Sequence, residues 1–464
     1  MFSLHETTRK RTCRTAFFAL CLGPTCATAA WIADHHLPWR DAAAARRLSD
    51  RYHLDVTLAD WQDPRPNTTR LAAVTLAEPG HADPLLKLNG FESRRRGDSL
   101  ILSVNEATLA IADLPALAAR IAWSLYRTPA AKIELHIRQL VLSASAGNGN
   151  PVTLHRVHGV IERDQHDAPR LQLIAHLTAQ PAADARPIVL AVARSAALTS
   201  GDGKSVDASN GAEKREAPAH VVTLKTQQHA LPVALLAPLV PGVAALNDGA
   251  TFTGVLTWHV GANVADATGN LHGRLAAVDL AGMLPRNSPH LLTGIAAVEL
   301  TDCRWHGAQF QRLAGTLTTA SAAANGSLLM AAPIYLGCHP GDALKSIQAA
   351  AARAAEERRA GREPAEEDAA QVAANHQLSH FACRFNLDAA GLAIEPHLPA
   401  ASTLPADTLA AESDQPILFC RPIVEAARLP AVAWLQFIAS PPGPWWIPYT
   451  PATLETARRL PTPQ

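Results

Sequence analysis

The stretch FACRFNLDAAGLAI, residues 381–394, indicates most directly which class of fold this chain adopts. Its first eight residues alternate strictly between apolar side chains and small or polar ones, which is the period-2 pattern of a strand with one buried face. Asp388-Ala389-Ala390-Gly391 then predicts a turn into a second strand at 392–394. This part of the sequence therefore predicts a β-hairpin, and with it a sheet of antiparallel strands.

Similar alternation recurs toward the N-terminus, in short segments divided by clusters of Gly, Pro, Asn and Asp. Outward positions carry Thr, His, Arg and Gln, whereas inward positions carry aliphatic residues, so one sheet face must be covered or must hold something apolar. The segments are 53–59, 71–76, 100–111, 133–137, 171–177, 221–224, 251–260, 269–278, 294–300 and 313–317. We predict a chain that is mainly β with some α.

The N-terminus carries an export signal. Four basic residues, Arg9, Lys10, Arg11 and Arg14, precede a charge-free apolar stretch at 15–33. About 19 residues in a helix just span a hydrocarbon core of ~30 Å, which predicts a single-pass anchor in the inner membrane with the body in the periplasm. The alternative is a cleaved signal peptide and a secreted body, because Ala27-Thr28-Ala29 has the small-x-small form of a cleavage site.

Four further segments depart from the strand pattern. Residues 40–52 are helix formers, and Asp113 is placed to cap a helix whose apolar residues share one face. The range 197–218 is poor in hydrophobic residues and predicts a disordered surface loop. Charged runs within 341–375 predict a solvated helix inserted between strands, with a partner-binding helix as the alternative.

These observations divide the 464 residues into six parts. They are a basic cytoplasmic flank at 1–14, a transmembrane anchor or signal segment at 15–33, an N-terminal α+β portion at 40–130, an antiparallel β meander at 131–340 containing the disordered loop 197–218, a charged helical insertion at 341–375, and a C-terminal part at 376–464 with the hairpin, a helix near 431–439 and a tail rich in Pro and Trp.

The body of the chain contains four cysteines, Cys303, Cys338, Cys383 and Cys420. An even number suits an oxidising compartment, and disulfides or plain buried thiols are the expected states, with the pairing left open. A metal site is the alternative, because each of the first three lies within three residues of a histidine in sequence. Zinc sites usually show tighter paired spacing, so no metal ligand is assigned.

Charge and motif content exclude several classes of function. Lys plus Arg equals Asp plus Glu at 41 each, so no basic field favours nucleic acid. The sequence contains no nucleophile elbow, phosphate-binding loop, zinc-binding His-Glu-x-x-His or dinucleotide-binding glycine pattern. Histidines such as His136, His155 and His158 are interpreted as surface residues. We therefore expect a protein that is not an enzyme, and we assign no catalytic or cofactor-binding residue and no cofactor.

The order of these features resembles the AsmA-like family of envelope proteins. The N-terminal likeness rests on the basic flank, one apolar segment, a helix, and the strands at 54–59, 71–76 and 100–111. The later likeness rests on glycine-punctuated strands, in Phe252-Thr253-Gly254-Val255-Leu256, Gly269-Asn270-Leu271-His272-Gly273-Arg274-Leu275, Leu292-Thr293-Gly294 and Leu313-Ala314-Gly315-Thr316-Leu317. The segments 197–218 and 341–375 and the tail with Trp445-Trp446 depart from the family pattern.

The resemblance implies an anchored, elongated and curved antiparallel sheet with short covering helices, whose apolar inner face shields lipid acyl chains. The expected partners are membrane lipids or other envelope proteins, and the expected role is outer-membrane biogenesis or lipid movement. An exported β-sandwich that acts as a binding or adhesion module is the alternative, which Trp445, Trp446 and the cleavage-like site favour.

Overall fold

The computed structural model describes residues 6–36, 39–80, 84–110, 113, 132–143, 151–163, 169–179, 186–194, 220–243, 246–247, 249–260, 267–284, 290–399 and 402–420. Three predicted features lie outside these ranges: the helix following Asp113, the loop at 197–218, and the tail with its helix near 431–439 and Trp445-Trp446.

The N-terminus is one long helical segment, α1 (Glu6–Phe17) and α2 (Gly23–His36), joined through a π-helical turn at Phe18–Leu22. Pro24 explains the turn, because its ring carries no N–H and disturbs the regular ladder of i to i−4 bonds. Residues Glu6–Ala33 are long and apolar enough to cross a membrane or to act as a signal sequence, and they are buried by nothing else in the described chain.

The helix α3 (Trp39–Tyr52) follows and contacts the first strand. Ser49 fastens this contact, because its hydroxyl accepts a hydrogen bond of 3.0 Å from the amide of Val56. Leu54 and Val56 are buried beneath the helix together with Leu85. The helix therefore covers the first edge of the sheet.

Twenty-one strands lie within the described ranges of the body. They are β1 (Asp55–Ala59), β2 (Gln62–Arg65), β3 (Thr68–Ala77), β4 (Pro84–Arg96), β5 (Ser99–Ala110), β6 (Lys132–Ser143), β7 (Val152–Arg163), β8 (Pro169–His176), β9 (Ile188–Arg194), β10 (His220–Lys225), β11 (Leu231–Pro232), β12 (Thr251–Val260), β13 (Thr268–Asp279), β14 (Leu292–His306), β15 (Gln309–Asn325), β16 (His339–Pro340), β17 (Asn375–Leu378), β18 (His380–Asp388), β19 (Gly391–Pro396), β20 (Thr408–Glu412) and β21 (Gln415–Phe419).

These strands form a large, curved, unclosed sheet that is mainly antiparallel, so the predicted class of fold is confirmed. From β3 the pairing runs through β4, β5, β6, β7, β8, β9, β10, β12, β13, β14, β15 and β18 to β19, with β1 and β2 both on the outer edge of β3. This arrangement differs from the two facing sheets of a β-sandwich.

One strand pair of the sheet is parallel. The strands β5 and β6 pair in register from Ser99↔Lys132 to Ala110↔Ser143, whereas the pairs before them, from β3 to β5, and after them, from β6 to β8, are antiparallel. The long connection between these two strands permits such a crossover. Because the two strands share a full ladder of hydrogen bonds, the portions predicted at 40–130 and 131–340 belong to the same sheet.

The last stretch of the predicted meander is a helix, α4 (Gly326–Leu336), which the strand pattern did not reveal. Asn325 caps its first turn, since the side-chain oxygen accepts from the amide of Leu328 at 3.0 Å, and Gly337 ends it in the left-handed conformation. Its sequence is apolar on all sides, so no helical period stands out.

The range 341–375 was predicted as a solvated helix inserted between strands; it is helical and lies between β16 and β17, but one of its faces is buried. It forms two helices, α5 (Asp342–Arg359) and α6 (Glu366–Ala373), which pack on each other. Leu344, Ile347, Ala350 and Ala354 recur at helical spacing and are buried, so one face of α5 packs against α4 and β21. The charged runs cover only the opposite face and the helix ends.

Candidate ligand-binding face and cavity

A continuous row of apolar residues crosses the inner face of the sheet. Each member is the direct register partner of the next, so all of them project from the same face. We call it the apolar row: Leu102, Leu135, Gly159, Leu173, Leu190, Leu224, Leu256, Leu271, Cys303, Leu313, Leu387 and Leu392, one residue from each of twelve neighbouring strands. At ~4.8 Å between strands the row is roughly 50 Å long.

Burial changes along the apolar row. On strands β5 to β10 its leucines are only half-buried, whereas Leu256 and Leu271 are 0% exposed. Val233, Leu236 and Val240, from the segment between β11 and β12, belong to the same buried cluster as these two leucines. Within the described residues, the inner face is therefore partly open toward the N-terminal half and covered in the middle.

A cavity of about 410 Å³ lies on the inner face of β13 to β19. Its floor includes four neighbouring members of the apolar row, Leu271, Cys303, Leu313 and Leu387. All the described residues that line it are apolar, and the two cysteines among them are the most polar. Such a cavity favours hydrocarbon, because an unpaired polar group buried there would cost about 2–7 kcal/mol.

The helix α4 forms the opposite wall of the cavity. It contributes Leu328, Leu329, Ala332 and Leu336, and Leu418 on β21 lies in the same lining. Gly326 allows the close approach of the covering helices, because a Cβ at this position would lie 2.5 Å from the carbonyl oxygen of Val372 in α6. The wall is thus formed by α4 and β21, with α5 and α6 packed behind α4.

Glycines on the inner face make room for aromatic rings. Gly254 and Gly273 are register partners, and a Cβ at Gly254 would lie 2.9 Å from Phe252 Cζ and 2.7 Å from the Cα of Gly273. At Gly315 a Cβ would lie 3.1 Å from Phe385 Cζ. The glycine-punctuated pattern of the sequence therefore has a steric origin, in close backbone approach and ring packing.

The outer face of the same strands is polar. Asp302 pairs with Arg304 at 2.8 Å and with Arg312 at 3.4 Å, and all three side chains lie at the surface or near it. Further along the sheet, His136 and His158 are exposed register partners whose Nδ1 atoms lie 3.1 Å apart. The outer face therefore presents polar side chains to water, whereas the inner face carries the apolar row.

The cysteines occupy two different environments. Cys303 and Cys383 line the cavity, where burial raises the pKa of each thiol to about 12. Cys338 and Cys420 face each other, with 3.1 Å between their sulfur atoms. No group of three or more His, Cys, Asp or Glu side chains among the described residues could hold a metal ion. The histidines near these cysteines in sequence therefore do not assemble with them into such a site.

We did not predict from the sequence which residues form the cavity wall. The signal that could have found α4 is Asn325 before an apolar run that ends at Gly337, because Asn and Gly are favoured caps at the two ends of a helix.

No protein-family model, no curated protein and no solved structure matches this chain.

Proposed function

We propose that this chain is an anchored envelope protein that binds the acyl chains of membrane lipids on the inner face of its sheet. The observation that carries the proposal is the apolar cavity of about 410 Å³, which is continuous with the apolar row. Its role would be outer-membrane biogenesis or lipid movement between membranes, as the resemblance to AsmA-like proteins implies, and it needs no catalytic group.

The energetics suit an acyl chain better than a polar ligand. Each methylene transferred from water to an apolar surface contributes about 0.8 kcal/mol, so six buried methylenes contribute about 5 kcal/mol before the cost of ordering the chain. The cavity volume lies within the range of small-molecule pockets, about 300–1,000 Å³. With only apolar side chains in the described lining, the headgroup would stay at the cavity mouth.

The half-buried leucines of β5 to β10 are consistent with acyl chains that move along the sheet as well as acyl chains that stay bound in the cavity. A track of similar apolar side chains presents no single deep minimum, so a chain can shift from one strand to the next. The helix formed by Glu6–Ala33 would hold this track at the periplasmic surface of the inner membrane.

Cavity filling tests the proposal without removing any apolar surface. The full-length protein, extracted in mild detergent, is analysed by native mass spectrometry and lipid extraction. We expect phospholipid to co-purify with the wild type and to fall at least threefold in Leu313→Trp, because the indole would occupy the cavity that Leu313 lines.

The matched control is Arg312→Trp, which places the same side chain on the neighbouring residue. The Arg312 side chain is 46% exposed and pairs with Asp302 on the outer face, so lipid occupancy should be unchanged. Melting temperatures of both variants show whether they remain folded. A wild type free of lipid, or equal occupancy in two folded variants, would contradict the proposal.

A further inference from the structure

Cys338 and Cys420 are opposed across the last strand pair of the body. The strands β16 and β21 pair through His339↔Phe419 and Pro340↔Leu418, and the next position along this register joins Cys338 to Cys420. Directly opposed residues in an antiparallel pair have Cα atoms about 4.5–5.5 Å apart. This separation lies within the range of about 4.4–6.8 Å that a disulfide requires.

The side chains are oriented toward each other as well. The two sulfur atoms lie 3.1 Å apart, and each residue is only 3% exposed. The other two cysteines are too far apart to form a bond with each other. Cys303 on β14 and Cys383 on β18 both pair with β15, so their Cα atoms are separated by more than about 9 Å, beyond the range of a disulfide.

We propose that Cys338 and Cys420 form a disulfide that clasps the wall of the cavity, while Cys303 and Cys383 remain thiols. Leu336 and Leu418 each lie two residues from a clasp cysteine, and both line the cavity. The bond would therefore tie the end of α4 to β21 across 82 residues of sequence. This proposal does not rest on lipid binding.

The reaction is an exchange with an external disulfide, such as that of a thiol oxidoreductase or oxidised glutathione. The two cysteine thiols lose two electrons and two protons, and the oxidant's disulfide is reduced to two thiols. Because both side chains are buried, we place the exchange during folding, before β16 and β21 pair. Once formed, the bond is shielded from reductants.

Peptide mapping tests the clasp directly. The full-length chain is refolded in a buffer of reduced and oxidised glutathione, alkylated with N-ethylmaleimide under denaturing conditions, digested without reduction and analysed by mass spectrometry. We expect one cross-linked species that joins Cys338 to Cys420, with Cys303 and Cys383 alkylated. Alkylation of all four body cysteines, or a cross-link that includes Cys303 or Cys383, would overturn the proposal.

Stability supplies a second readout. The oxidised wild type should resist dithiothreitol until denaturant is added, and its melting temperature should exceed that of Cys338→Ser by roughly 5–10 °C, because the closed loop is long. Reduction of the denatured wild type, followed by refolding without oxidant, should remove this difference. The control Cys303→Ser should retain the cross-link, whereas equal melting temperatures of oxidised and reduced wild type would count against a clasp.

Discussion

Gly269 on β13 and Trp305 on β14 are register partners, and the indole of Trp305 lies directly over the backbone of Gly269. A Cβ at Gly269 would lie 2.0 Å from Trp305 Cζ2, a distance that no side chain can occupy. Trp305 is 2% exposed and is among the largest fully buried side chains of the core. The absence of a side chain at 269 thus makes the space that the Trp305 ring occupies.

Replacement of Gly269 by Ala should therefore displace the indole and destabilise the protein by about 1–3 kcal/mol, as overpacking of a core does. Urea denaturation followed by tryptophan fluorescence measures the change. The control is Asn270→Ala, at the exposed neighbouring position, which should stay within about 0.5 kcal/mol of the wild type. Equal losses in the two variants would show that the contact has no steric role.

The side chain of Asn325 accepts hydrogen bonds from two different parts of the fold. Its Oδ1 atom accepts hydrogen bonds from the amides of Leu328 at 3.0 Å and Leu291 at 3.1 Å, and so joins the start of α4 to the residue that precedes β14. Asn325→Ala should cost about 1–2 kcal/mol in chemical denaturation, because both amides lose their acceptor. Asn325→Asp keeps an acceptor and should recover most of the loss. If Ala and Asp behave alike, the side chain does not cap the helix.

The salt bridge between α5 and α6 should make stability depend on pH. The guanidinium group of Arg353 donates two hydrogen bonds to the Asp368 carboxylate, from Nη2 to Oδ1 at 2.6 Å and from Nε to Oδ2 at 3.1 Å. This hydrogen bonding holds the pKa of Asp368 below its ordinary value. A lowered pKa in the folded state stabilises the protein above the unfolded pKa of about 3.9, and this contribution is lost as pH falls through the folded value.

Melting temperatures measured between pH 3 and pH 7 should show this effect. Asp368→Asn should melt below the wild type at pH 6, and the difference should shrink once the pH falls below about 4. Glu363→Gln, at an exposed position in the connection between the two helices, serves as the control and should follow the wild type throughout. A difference between wild type and Asp368→Asn that is constant with pH would exclude the ion pair as its source.

The N-terminal helix should hold the protein in the membrane. We expect the full-length chain to stay with the membrane fraction after alkaline carbonate extraction, and a chain lacking residues 1–38 to be released. Leu20→Arg should weaken retention, because a basic residue at the helix centre costs about 2.5–3.5 kcal/mol on insertion, whereas Lys10→Arg should not. Recovery of a soluble chain that begins just after Ala29 would show cleavage instead.

The class of fold was predictable because a strand with one buried face has a period of two residues, which can be read without tertiary information. The hairpin at 381–394 and the strands with inward aliphatic residues are of this kind. The burial of one face of the helical insertion was not predicted. Leu344, Ile347, Ala350 and Ala354 form that face, but two of the four are alanines, and the charged runs nearby led us to expect a solvated helix.

The order of the strands, the parallel pair of β5 and β6 and the cavity were decided by the tertiary structure alone. A register pairs residues that are distant in sequence, so no local pattern could show that one apolar position on each of twelve strands forms a single row. The contact between Cys338 and Cys420 likewise depends on the pairing of β16 with β21. The sequence by itself determined which face of each strand is apolar, and the tertiary structure determined that the apolar faces of β13 to β19 meet α4 around a cavity, because packing is a property of the assembled sheet.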